Sequence, residues 1–330
     1  MPIKKEPVLL KLSSNKLPPV VSGLLIIVLL LLLQIGILYV EKLKIDIGNM
    51  TNSAYFTFTI GYLVFITRII QNSHSRGYEK LLKHATLSEE EKEAARLYFQ
   101  DQKLAWQETL FSLGIGALHS YLAVFRFLFN GTLDFPIYYT FRGLSVIILW
   151  WVIWQAASTF IRNMTKMNIL SKSIEIDLIN LDKFMPLTSA GVLSILAFMG
   201  TYSLLFLQGI NISDIANPAI IALIPTIFWM LLTPLKGLRK RIGLAKESEI
   251  KLLDKAIDGD KEALKQTRIG NNLDNINVVD LMTYKKLIAN TFEIPVNIPT
   301  ASRFVFYLII PFLTWIAASI VDKIIDFLIA

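Results

Sequence analysis

Long apolar runs, not short periodic ones, dominate the pattern along this chain. Residues 17–40, 54–71, 106–129, 137–161, 186–208, 216–235 and 302–321 are each rich in Leu, Ile, Val, Phe and Ala, and a helix needs about 20 such residues to cross a bilayer. The expected fold class is all-α: a polytopic transmembrane helical bundle of seven spans with a small cytoplasmic helical part. Six spans result if 54–71, which is short and carries Arg68 near its end, is re-entrant. The expected order is a tail at 1–16, a bundle over 17–235, cytoplasmic helices at 236–301, a last span at 302–321 and a far-side tail at 322–330. Residues 17–40 are too long and lack the small-residue cleavage pattern of a signal peptide, so they read as an uncleaved first span.

Polar segments between the runs set the orientation. Lys4, Lys5, Lys11 and Lys16 precede the first run. Arg76, Lys80, Lys83, Lys92, Arg96 and Lys103 lie between the second and third, and Arg162, Lys166, Lys172 and Lys183 between the fourth and fifth. The segments 130–136 and 209–215 hold no Lys or Arg. This alternation puts the N-terminus inside and the C-terminus outside, since basic residues stay on the cytoplasmic side.

Three polar segments carry structure of their own. Ser88 followed by Glu91 fits a capping box, and the helix it starts is expected to run straight into the third span. Residues 170–184 read as a short interfacial helix ending at Phe184, with span five starting at Pro186. In 236–301, Ile250, Leu253, Ile257 and Leu264 form a stripe at helical spacing, Gly270–Asn272 breaks it, and a second helix runs from the N-cap Asn277 to Phe292. Two such helices bury little core alone and need other segments, the membrane surface or a second copy.

Composition agrees with the membrane reading. The chain is 54% hydrophobic and only 18% charged, with a mean hydropathy of +0.52, against roughly a quarter charged in soluble domains. The absence of cysteine excludes disulfides and thiolate chemistry. The +7 net charge fits topology better than nucleic acid, because no aromatic residues interleave the basic cluster.

The candidate chemistry centres on the third run. Steps of four and three give Glu108, Ser112, Ile115, His119, Leu122 and Arg126 on one helix face. Ionisable groups at that depth are costly and normally face protein or a water-filled path. Two readings follow: a polar pathway or proton relay joined by Arg142 of the fourth run, or an interhelical packing seam supported by Gly114, Gly116, Ala117 and Ser120. Trp150, Trp151 and Trp154 read as a packing cluster. Lys236, Arg239, Lys240 and Arg241 read as an anionic-lipid contact. His74, His84 and His119 form no metal motif, and no phosphate loop or nucleophile elbow occurs.

These features point to a multi-pass protein of the inner (plasma) membrane with no cofactor or metal. Its leading expected role is non-enzymatic sensing or scaffolding through the cytoplasmic helices, with the lipid bilayer and a protein partner or second copy as partners. The rival is a channel or proton-coupled transporter using the third-span stripe.

Overall fold

A computed structural model describes residues 7–12, 17–41, 47–101, 106–122, 137–204, 218–270 and 276–293, with isolated positions 302, 305, 306, 309 and 313. Its helices are α1 (Val8–Leu12), α2 (Pro19–Val40), α3 (Ile47–His84), α4 (Glu89–Gln100), α5 (Trp106–Ser120), α6 (Ile137–Ser171), α7 (Met185–Ser203), α8 (Pro218–Ile257), α9 (Lys261–Gln266) and α10 (Val278–Asn290). All regular structure among the described residues is helical. Four stretches are long and apolar enough to cross a membrane: Pro19–Val40, Ala54–His84, Ile137–Ser171 and Asp182–Thr201. Leu25, Leu29 and Leu32 of α2 are more than half exposed, an apolar surface that suits lipid and not water. Of the expected span 106–129 the described part is 106–122, and the expected span 302–321 falls largely on positions outside the described residues.

At the centre stands α3, against α2, α6 and α7. It meets α2 through Gly23 and Gly61, where an added Cβ on either would come within 3.0 Å of the other helix. Small residues permit this approach, as they do between membrane helices generally.

The main departure from the sequence reading is helix length. Three of the helices, α3, α6 and α8, do not stop where hydropathy falls. They continue to His84, Ser171 and Ile257 and build a common core beyond the apolar layer. There Tyr78, Leu81 and Leu82 share one buried cluster with Met164, Met167 and Leu170 and with Leu238, Ile242, Leu253, Leu281 and Ile288. The expected two-helix hairpin therefore becomes a platform in which α9 and α10 pack on the continuous α8.

Three local expectations are corrected. The capping box at Ser88 and Glu91 forms, but α4 stops at Asp101, whose backbone is extended (φ −75°, ψ 100°). Lys166 of α6 ends it by donating to the carbonyls of Tyr98 at 2.8 Å and Asp101 at 2.6 Å. No interfacial helix forms over 172–181. Ile174, Ile176 and Leu178 are buried while Glu175 is exposed, the period of two that an extended segment shows on a core. The segment ends in a 3₁₀ turn, Asp182–Phe184, before α7. Finally, α8 breaks at Gly259, not first at Gly270; its φ of +98° is open to glycine without strain.

Both ends of α6 are closed by neighbours. Glu41, after α2, accepts from the Ile137 and Tyr138 amides. Arg241 of α8 donates to the carbonyls of Ser171 at 2.7 Å and Ile174 at 3.0 Å. Asn277 caps α10 with a reciprocal Asp280 contact.

Inside the platform, buried Glu249 accepts from the Arg268 amide at 2.9 Å and the Tyr284 hydroxyl at 3.5 Å. Burial, reinforced by the Glu249 charge, raises the Tyr284 pKa above its ordinary 10.0. The folded state thus favours the neutral phenol, and its contribution to stability is present below pH 10 and lost as pH rises through the folded value. Tyr284→Phe should cost about 1 kcal/mol near neutral pH. That deficit should shrink above about pH 10 in thermal unfolding measured beside the native chain.

Candidate functional site

The predicted stripe on α5 faces α6, which runs antiparallel to it. Glu108 is ion-paired with Arg162 at 2.5 Å. Phe111 packs edge-on to Trp154 with ring centroids 4.9 Å apart. Ser112 is buried and donates to the Thr109 carbonyl at 2.8 Å. The closest approach is at Gly116, where an added Cβ would lie 2.9 Å from the Ile147 Cα. One turn on, Trp150 Nε1 donates to His119 Nδ1 at 2.7 Å, so that nitrogen carries no proton. Two members of the stripe, Glu108 and His119, thus contact α6, with the Phe111 and Gly116 contacts between them. Its last member, Arg126, lies outside the described residues. Arg142 sits on α6 about a turn from Tyr138, half-buried, with its Nε unpartnered among the described residues.

A second polar row, which the sequence reading missed, runs between α3, α6 and α7, with Gln155 at its end turned to α1, where it accepts from the Leu9 amide at 3.2 Å. Thr67 and His74 of α3 are almost wholly buried, as are Gln155, Thr159 and Asn163 of α6 and Ser194 of α7. Asn163 donates to Gln71 at 2.6 Å. His74 Nε2 lies 3.2 Å from the Ala190 carbonyl and 3.1 Å from Ser194 Oγ. A carbonyl can only accept, so Nε2 carries the proton. Ser194 gives its own proton to Ala190 at 2.9 Å and therefore accepts from the imidazole. His74 Nδ1 is buried without a partner among the described residues.

Thr67 and Ser194 also line a cavity of about 390 Å³ between the same three helices. Leu63, Ile66, Ile153, Ala156, Phe160 and Phe198 form much of its wall, so the cavity is apolar with hydroxyls on its lining. That size and lining fit a small-molecule site. The row had a visible signal: positions 67, 71 and 74, and 155, 159 and 163, each follow helical spacing. Ending the second span at 71 and the fourth at 161 cut both series short.

The basic cluster on α8 divides by helix face. Lys236, Arg239 and Lys240 are exposed, and Arg239 Nε donates to Glu293 at 2.9 Å. Arg241 turns the other way and closes the end of α6, and burial lowers its pKa. It is therefore a helix cap and stands apart from the exposed basic face. Lys246, outside the expected cluster, donates to the Thr291 carbonyl at 3.1 Å beyond α10. Among the described residues, no group of three His, Asp or Glu side chains is placed to hold a metal.

No protein-family model matches this chain, and neither a curated protein nor a solved structure shows significant similarity to it.

The α5–α6 seam makes a direct comparison possible. Gly116→Leu should lower stability by about 1–3 kcal/mol through overpacking. Gly114→Leu, whose site has no neighbour within 4 Å, should leave the thermal midpoint of the detergent-solubilised protein unchanged.

Proposed function

We propose that this chain is a seven-span inner-membrane protein, N-terminus inside and C-terminus outside, that acts as a non-enzymatic sensing or scaffolding component through its cytoplasmic platform. The observation that carries this reading is the continuity of α3, α6 and α8 from the apolar layer into one core. A displacement of any of these rods within the bilayer is passed to the platform, because packed helices move as units. The alternation of basic and non-basic segments supports the orientation. The exposed side of α10 supports a partner or a second copy: Val278, Val279, Met282 and Leu287 face away from the buried Leu281, Tyr284 and Ile288. A photo-crosslinking residue at Met282 should capture a defined protein adduct in cells, with Val279→Asp abolishing it. The same probe at Lys251, on a polar face, should not. Equal capture at both positions, or none, would remove this reading.

A second reading, proton-coupled transport, is favoured by His74 and the polar row beside the cavity, since an intramembrane ionisable group marks a functional site by default. It expects a pH-dependent proton flux in liposomes that His74→Ala abolishes and His119→Ala retains. Absence of flux in the native protein would discard it.

A further inference from the structure

We infer that the exposed face of α8 just beyond residue 235 is a binding groove for the phosphate of an anionic lipid in the cytoplasmic leaflet. Steps of three and four place Lys236, Arg239, Lys240, Gly243 and Lys246 along one side of the helix. Together with Glu293 they border a concavity of about 540 Å³. Gly243 leaves its floor open; the nearest group to an added Cβ is the Glu293 carboxylate, 3.7 Å away.

The charges along the groove are not equally committed. Lys246 is held by the Thr291 carbonyl. Arg239 spends its Nε on Glu293, which leaves the terminal nitrogens of its guanidinium for a second acceptor. Lys236 and Lys240, one turn apart and exposed, have no hydrogen-bond or ion-pair partner among the described residues. Glu247, the groove's second carboxylate, is paired with Lys251 at 3.1 Å, so Lys236, Arg239 and Lys240 against Glu293 leave that end of the groove positive. A phosphate oxygen set is the complement that Arg and Lys recognise together.

Lipid is the source because of depth. The apolar run 216–235 ends at Leu235, so Lys236 and Lys240 stand where headgroups begin. This step rests on the proposed span at 216–235, and recovery of the chain in nanodiscs with that segment protected from protease checks the span separately.

The test uses the full chain in nanodiscs of phosphatidylcholine with a minor fraction of phosphatidylglycerol, and counts co-purifying lipids by native mass spectrometry. The native chain should retain phosphatidylglycerol over phosphatidylcholine. Lys236→Gln with Lys240→Gln should lower that retention about tenfold, and Gly243→Glu, which puts a carboxylate in the floor, should lower it as well. Lys261→Gln with Lys265→Gln, both exposed on α9 and outside the groove lining, should leave it unchanged. Equal retention in the groove variants and this control would overturn the inference. So would displacement of the lipid by inorganic phosphate alone at millimolar concentration, which would make the groove a site for a soluble anion.

Discussion

The end of a helix inside packed protein leaves carbonyl oxygens that must find donors, and the platform is built around that requirement. Three of the helices that end there are each closed by a cation from a neighbour. Lys166 of α6 closes α4, Arg241 of α8 closes α6, and Lys246 of α8 receives the chain as it leaves α10. Each contact is favourable twice over, as a hydrogen bond and as a positive charge at the negative end of a helix dipole. The same contacts fix where α4, α6 and α10 stop relative to one another. The apolar core then fills the space they define.

This arrangement gives the basic residues of the chain two separate tasks. Counted along the sequence, Lys166, Arg241 and Lys246 look the same as Lys236 and Lys240, and all serve a charge-based orientation argument. In space they part. One group is turned inward to carbonyls. The other stands in the open on a single face of α8, where a ligand of opposite charge has access to it.

A parallel division separates the two polar rows. The α5 stripe is paired with α6 through Glu108–Arg162 and His119–Trp150, on a helix whose other side chains, such as Leu110 and Leu118, are exposed. The row through His74 and Asn163 lies between three helices and beside a cavity. Polar groups buried at such a position need partners, and the row supplies them from within: Asn163 donates to Gln71, and His74 and Ser194 meet at the Ala190 carbonyl. His74 leaves one ring nitrogen outside that network, and this sets it apart from His119.

The sequence by itself determined the all-helical class, four of the apolar helices, and the starts of α4 and α10. These depend on local rules: apolar length, and a capping side chain within reach of amides three residues on. It did not determine where α3, α6 and α8 end. A helix leaving the apolar layer keeps its backbone bonds, and only packing against distant segments decides how far it continues. It did not show the extended course of 172–181 either, because the core that Ile174, Ile176 and Leu178 cover is assembled from α3, α6, α8 and α10. Nor did it separate Arg241 from Lys240. Adjacent residues on a helix point about 100° apart, and only the tertiary structure decides which of the two meets a carbonyl and which meets open space.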